Sequence, residues 1–228
     1  GDRHGPLPPM LLVLTIVTGV VDAVSYLRLG HVFVANMTGN VVFLGFALAG
    51  ASGLSAVASI VALAAFLLGA LAGGHLGTRL GQNRGRLLAA ATAVKTVLVA
   101  VALIVAALAG ESLTEAARYA LIVLLALAMG LQNATARKLA VPDLTTTVLT
   151  LTLTGLAADS EWAGGNAPRP GRRLVSVASM LIGAVVGGLL VLRVSIAATL
   201  GLATGLLLLT GLAVHRLSFS SPSWVAPA

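Results

Sequence analysis

The sequence predicts an all-α polytopic membrane protein built from two inverted repeats, each with three transmembrane helices and one re-entrant or half-helix segment. Three observations lead to this prediction: the composition, six long apolar runs, and motifs that return in the same order in both halves. The chain is 58% hydrophobic and 9% charged, with a mean hydropathy of +1.02. A soluble domain of this size would leave too much apolar surface in water, so lipid is expected to cover it.

Charge and cysteine content exclude several classes of function. The net charge of +7 would suggest nucleic-acid binding in a soluble protein. Here the basic residues lie between apolar runs, where they set orientation and contact anionic lipids, so nucleic acid is not an expected partner. Because the sequence has no cysteine, disulfides, thiolate metal sites and a cysteine nucleophile are excluded.

Six apolar runs have the length of a membrane span. They lie at residues 11–29, 54–76, 87–109, 117–135, 174–192 and 194–214, and each is near the ~20 residues that a bilayer core requires. The first run is too long for the core of a signal peptide, so we expect it to be a retained span. Two further apolar segments, at 31–50 and 142–158, are shorter or interrupted by polar residues.

Three motifs of the first half return in the second half. Gly19-Val20-Val21-Asp22-Ala23 is matched by Gly130-Leu131-Gln132-Asn133-Ala134, the glycine-rich stretch 69–74 by 183–188, and the stretch 86–92 by 193–199. Repeated spans that carry polar residues are typical of transporters. We therefore predict two membrane repeats, residues 1–110 and 111–228, within one integrated transmembrane domain.

The distribution of Arg and Lys favours one of two topologies. If the segments at 31–50 and 142–158 cross fully, seven basic residues lie on one side and six on the other, with Lys95 inside a span. If each segment dips into the membrane and returns, ten lie on one side and only Arg28, Arg118 and Arg193 on the other. The second count follows the positive-inside rule, so both termini are predicted to be cytoplasmic. Three crossings per repeat place the second repeat upside down relative to the first.

Each of these two segments combines a polar break with a short apolar stretch, predicted as a returning helix at 41–49 and at 148–157. The polar breaks consist of Asn36, Thr38, Gly39 and Asn40 in the first segment, and of Thr145, Thr146 and Thr147 in the second. Non-helical backbone at membrane depth needs partners in protein or water, so the breaks are expected beside a central cavity. The positive end of each returning helix would then favour a polar or anionic group. Simple packing between helices is the alternative role of these side chains.

Asp22 is the only acidic residue well inside one of the six spans. Buried carboxylates in membrane helices usually face a cavity, a partner or a proton path. The repeat equivalent of Asp22 is Asn133, which follows Gln132, so one half would carry a titratable coupling group and the other a neutral hydrogen-bonding site. The alternative is a structural charge pair with Lys95, which lies at a comparable depth.

The remaining polar residues do not point to an enzyme, a cofactor or a metal site. The acidic residues are scattered among different span boundaries, and no second histidine lies at metal-ligand spacing from His75. The two glycine clusters are not followed by the Gly-Lys-Ser of a phosphate-binding loop, so we expect them to allow close helix packing. No catalytic residue, cofactor or metal is therefore predicted.

The motifs at 19–23, 36–40 and 130–134, together with Pro142-Asp143-Leu144-Thr145-Thr146-Thr147, resemble the signature stretches of the YoaK-like bacterial membrane proteins. That family is of unknown function, and the resemblance covers nearly the whole chain. It implies a bacterial inner-membrane protein of similar architecture and gives no substrate.

These residues predict an inner-membrane secondary transporter that moves a small polar or anionic solute by alternating access between its two halves. Asp22 is the candidate group for proton coupling. The alternatives are a channel, and a non-transporting scaffold or sensor whose polar core only specifies packing. The lipid bilayer and the solute are the expected partners, and a homo-oligomer is compatible with the sequence.

Overall fold

The protein is all-helical in the part of the chain that the computed structural model describes: residues 4–110, 112–142, 144, 146, 149–166, 170–220 and 224–225. These residues form eight α-helices and one short 3₁₀ helix, Glu161–Ala163. The α-helices are α1 (Leu7–Arg28), α2 (Met37–Leu48), α3 (Ala56–Leu80), α4 (Arg84–Ala109), α5 (Glu115–Leu139), α6 (Leu149–Ala158), α7 (Pro170–Arg193) and α8 (Ile196–Ser220). The predicted all-α class is confirmed.

Six of these helices, all except α2 and α6, are long and apolar enough to cross a membrane. They contain 22 to 26 residues, which corresponds to roughly 33–39 Å against a hydrocarbon core of about 30 Å. Their outward faces carry large apolar side chains, such as Leu71 and Leu108, which are 70% and 84% exposed. Lipid is the solvent that such a surface requires. The prediction of a polytopic membrane protein is therefore confirmed.

The two remaining helices are short and lie within the two segments that were ambiguous in the sequence. Helix α2 has 12 residues and α6 has 10, lengths of roughly 18 Å and 15 Å that do not cross the hydrocarbon core. The prediction that the first short helix begins at residue 41 was wrong. It begins at Met37, because Asn36 caps its first turn by accepting a hydrogen bond from the Gly39 amide at 3.3 Å.

Glycines determine how the long helices cross. Helix α1 packs against α7, and α3 packs against α5. In each crossing, glycines lie directly against the backbone of the facing helix, where a methyl group would overlap it. Equivalent contacts occur in both crossings: Gly19 with Met180 and Gly130 with Phe66; Gly183 with Ile16 and Gly69 with Leu127; Gly187 with Val20 and Gly73 with Leu131. The predicted packing role of the glycine clusters agrees with these contacts.

Contacts between α4 and α8 give the relative direction of these two helices. Gly85, at the start of α4, lies against Ser218 near the end of α8. Thr92, two turns further along α4, lies against Gly211, which comes earlier in α8. The helices therefore run in opposite directions. This is the relation that inverted repeats require of equivalent helices, and the inverted arrangement itself stays a prediction.

One end of the bundle brings together the beginning and the end of the described chain. The Arg84 side chain donates a hydrogen bond from Nη2 to the carbonyl of Leu139 at 2.7 Å, and Nη2 lies 3.2 Å from Nδ1 of His4. The Arg84 amide donates to the carbonyl of Val225 at 2.9 Å. Trp224 is buried against Gly85. The starts of α1 and α4 and the end of α5 thus lie at the same end of the bundle.

Candidate functional site

A cavity of about 590 Å³ lies where α1, α2, α3, α5, α6 and α7 meet. Five of the residues predicted from the sequence line it: Asp22, Asn36, Thr38, Gly39 and Asn133. Those residues come from three different helices and from the cap of α2. The fold therefore brings the polar positions of both halves to one place.

Residues at equivalent positions of the two halves line the cavity in pairs. Asp22 and Asn133 occupy equivalent positions in the matching motifs of α1 and α5, and both line the cavity. Phe66 and Met180 form a second such pair, because each lies three residues before its glycine cluster. The first two residues of α2 and of α6 also line the cavity: Met37, Thr38, Leu149 and Thr150. The beginnings of both short helices therefore face the same space.

Asp22 anchors the non-helical segment that leads into α2. Its Oδ1 accepts hydrogen bonds from the amides of Val34 and Ala35, at 3.2 Å and 3.0 Å. Those amides belong to an irregular, buried stretch of backbone that would otherwise lack partners. Since Asp22 also lines the cavity, one carboxylate combines a structural role with a cavity-facing position.

Asn40 lies behind the cavity wall. Its side chain is fully buried, accepts a hydrogen bond from the Phe33 amide at 2.8 Å, and donates one to the Phe33 carbonyl at 2.6 Å. Phe33 in turn stacks on Tyr26 and on Phe43, at centroid distances of 5.0 Å and 5.7 Å, and Tyr26 and Phe43 are 6.0 Å apart, so the three rings form one cluster. Asn40, predicted to contact the solute, therefore fixes the entry into α2.

Lys95 and Gln132 form a separate buried network. The Lys95 ammonium group donates to Oε1 of Gln132, and Nε2 of Gln132 donates to Oγ1 of Thr18 at 2.9 Å. Lys95 and Gln132 are buried and do not belong to the described lining of the cavity. Among the described residues, Asp22 and Lys95 do not form an ion pair. Asp22 accepts hydrogen bonds from the amides of Val34 and Ala35, and Lys95 donates to Gln132. Thr18, one turn before Asp22, connects this network with the cavity wall.

The second polar break is only partly described. Thr146 is buried, has left-handed backbone with a φ of 64°, and its hydroxyl has no hydrogen-bond partner within the described part of the chain. It is not part of the described cavity lining. Thr145 and Thr147 lie outside the described residues, as does Asp143.

Sequence reasoning missed several lining residues, although each lies at a regular spacing from a motif that had been recognised. Thr18 lies one helical turn from Asp22 on the same face of α1. Phe66 and Met180 precede the repeated glycine clusters by the same spacing. Phe43 follows the polar break by about one turn and lines the cavity with α2. Placing such apolar positions requires the helix crossing, which motifs of polar residues do not reveal.

Comparison with known proteins agrees with these motifs. The model of the family described as "Protein of unknown function (DUF1275)" matches residues 10–213, a range that includes every described residue of the cavity lining. The chain belongs to this family. The DUF1275 protein is also 35% identical over 150 residues to the UPF0700 transmembrane protein YoaK of Bacillus subtilis (strain 168). That match covers 66% of this chain and 65% of the relative, so it spans slightly less than two thirds of the relative's length.

No solved structure matches the DUF1275 protein. The predicted resemblance to the YoaK-like family is confirmed by the family match and by this relative. A relative described as a transmembrane protein also agrees with the six long apolar helices.

Proposed function

We propose that this DUF1275 protein is a secondary transporter of the bacterial inner membrane that carries a small polar solute through the central cavity. The observation that supports the proposal is that repeat-equivalent residues from both halves line one cavity, where two short helices begin. Transporters with inverted repeats bind their solute at such a place, between discontinuous helices. The sequence also allows an anionic solute.

The proposed topology has two inverted repeats, with α2 and α6 as re-entrant segments. The contact between Arg84 and His4 supports it, because the starts of α1 and α4 then lie at the same end of the bundle. Two full crossings, by α1 and α3, return the chain to its starting side, whereas a third crossing by α2 would not. The antiparallel contacts between α4 and α8 support the same topology. The excess of ten basic residues over three supports a cytoplasmic location of both termini.

The packing suggests which parts move during alternating access. The close glycine crossings join α1 to α7 and α3 to α5, so each pair contains one helix from each half. Helix α2 contacts α3, and α6 contacts α7. The cavity therefore lies between two similar units, and we propose that these units, rather than the two halves of the sequence, rock against each other. The bond between Gln132 and Thr18 links the units behind the cavity.

A flux screen in proteoliposomes tests transport directly. It covers organic acids, inorganic anions, nucleobases and amines, with and without a proton gradient. We expect at least one class to move, and we expect Asp22→Asn to abolish proton-coupled flux because the described lining of the cavity then lacks its titratable group. Flux that is unchanged in Asp22→Asn at every pH would refute the coupling role, and no flux of any class would count against transport.

Cysteine labelling separates a transporter from the two alternatives, because the natural chain has no cysteine. Thr38→Cys and Asn133→Cys are exposed to membrane-impermeant thiol reagents from each side, and Leu71→Cys, on the lipid face, is the unlabelled control. A transporter gives labelling that shifts between sides when solute is added. Simultaneous labelling from both sides indicates a channel, and complete protection of both sites indicates a scaffold or sensor.

A further inference from the structure

We infer that the solute carries a positive charge, such as the ammonium group of an organic amine, and that this group contacts Asp22. The inference rests on the proposed binding role of the cavity and specifies the chemical class of the solute. Asp22 is the only ionisable side chain in the described lining of the cavity. Every other side chain that the structure describes there is neutral.

The hydrogen bonds of Asp22 leave one carboxylate oxygen available. Oδ1 accepts both bonds, from the amides of Val34 and Ala35. The other oxygen receives no hydrogen bond from any residue that the structure describes. An ammonium group that donates to it would form a charge-assisted hydrogen bond, which is about twice as strong as a neutral one. An anion at the same position would face a carboxylate instead.

The rest of the lining suits the body of an organic cation. Phe43 and Phe66 offer aromatic rings, and Met37 and Met180 offer polarisable thioethers. Cations are attracted to aromatic faces, and thioethers adapt to irregular apolar shapes. A volume of about 590 Å³ also exceeds what a bare inorganic ion needs and falls in the usual range for pockets that bind small organic molecules.

Three positive features compete with this inference, and each is weaker at the site itself. The first turns of α2 and α6 would attract an anion, but each helix end carries only about half a charge. Asp22 already bonds two amides of the segment that leads into α2. Lys95 lies behind the wall and donates to Gln132. Electrostatic interactions weaken with distance. The attraction between a cation and the Asp22 carboxylate that it contacts is therefore stronger than the repulsion from Lys95, which lies behind the wall.

The repeat provides a matched test of charge at two equivalent positions. Asp22→Asn removes the charge but keeps a side-chain oxygen that can accept from Val34 and Ala35. The double variant Asp22→Asn/Asn133→Asp restores one carboxylate to the same cavity from the opposite unit. The two probes are benzylammonium and benzoate, which share a ring and a similar size and carry opposite charges at neutral pH.

Binding is measured by calorimetry on the full chain in lipid nanodiscs, with helical content checked by circular dichroism. We expect benzylammonium to bind at least about tenfold tighter than benzoate, an advantage that Asp22→Asn loses and the double variant recovers. Tighter binding of benzoate, equal cation binding by Asp22→Asn, or no binding of either probe to folded protein would overturn the inference.

Flux of the same probes distinguishes this inference from the proposed function. Benzylammonium that binds at Asp22, while no solute class of the flux screen moves across proteoliposomes, would leave the inference standing and count against transport. Preferential flux of benzoate would support transport and refute the inference.

Discussion

The two glycine crossings of the molecule are built alike, but the polar groups beside them differ. Gly19 and Gly130 make equivalent backbone contacts, with Met180 and Phe66 respectively. Three residues further on, α1 carries Asp22 and α5 carries Asn133. Backbone contact leaves no room for a side chain, so the crossing residues have little freedom to change. The neighbouring positions face a cavity, where a change in polarity alters chemistry without disturbing the crossing.

The two short helices show a similar contrast. The beginning of α2 is fixed by Asp22 and by Asn40, which bond the backbone just before it. Helix α6 is instead held near its end, where Arg173 forms a 2.7 Å ion pair with Asp159. In the first anchor the Asn40 side chain is fully buried, whereas the Asp159 carboxylate of the second anchor is 45% exposed. We therefore expect α2 to be the more firmly positioned of the two.

Adding a methyl group within each crossing is expected to have the largest effect on stability. Gly69→Ala and Gly183→Ala each place a Cβ against a backbone carbonyl of the facing helix, Leu127 or Ile16. We expect each substitution to lower the free energy of unfolding by about 3 kcal/mol, because backbone cannot rotate away. The measurement is unfolding in detergent micelles followed by circular dichroism.

Gly74→Ala is the matched control for these substitutions, because no atom of a facing helix in the described part of the chain lies within 4 Å of the added Cβ. It should be neutral or slightly stabilising, since alanine favours helix over glycine by about 0.5–1 kcal/mol. Losses at Gly69 and Gly183 that differ by more than about 1 kcal/mol would contradict the equivalence of the crossings.

Substitutions in the buried pair of Lys95 and Gln132 are expected to have the next largest effect on stability. Gln132→Leu leaves the Lys95 ammonium group without its partner and should cost about 2 kcal/mol. Lys95→Met/Gln132→Leu removes both polar groups and should recover at least half of that loss. A double-mutant cycle on unfolding free energies measures the coupling. Additive losses would show that the two side chains do not depend on each other.

Asn40→Leu tests the anchor of α2. It removes two hydrogen bonds to the Phe33 backbone, and we expect a loss of about 1.5 kcal/mol. Hydrogen exchange at Phe33 should accelerate relative to amides in the middle of α1. Asn133→Leu, which changes the cavity lining instead, should alter solute binding more than exchange at Phe33. The opposite pattern would contradict the assignment of Asn40 to a structural role behind the cavity wall.

The ion pair that anchors α6, between Arg173 and Asp159, should contribute least to stability. Asp159→Asn weakens an ion pair whose carboxylate side is 45% exposed, so we expect a loss of about 0.5 kcal/mol. The difference between the natural chain and the variant should shrink at high salt, because ions screen exposed charges. A loss as large as that of Asn40→Leu would reverse the expected order of the two anchors.

Much of the fold followed from the sequence, because the bilayer imposes a length on each span. The predicted runs correspond to the six long helices, and the two ambiguous segments contain the two short ones. The glycine clusters also indicated close packing, which the crossings contain. The start of α2 was misplaced, because Thr38 and Gly39 read as a break although the cap at Asn36 includes them in the first turn.

The candidate site was only partly predictable. Asp22, Asn36, Thr38, Gly39 and Asn133 line the cavity, and their unusual polarity in apolar surroundings had marked them. Asn40 and Gln132 are just as polar, yet they bond to protein behind the wall. A motif gives the residue type and its depth, but it does not give the neighbour that satisfies each hydrogen-bonding group.

The sequence by itself determined that lipid covers the outer surface, where the six apolar spans lie, and which motifs return in the second half. Those properties follow from composition and from a fixed rise along each helix. Only the tertiary structure decided that α1 pairs with α7, that Lys95 pairs with Gln132 and that Asp22 faces a cavity. These choices depend on the rotation of each helix about its axis and on which helix lies beside it, and lateral contacts between distant segments set both.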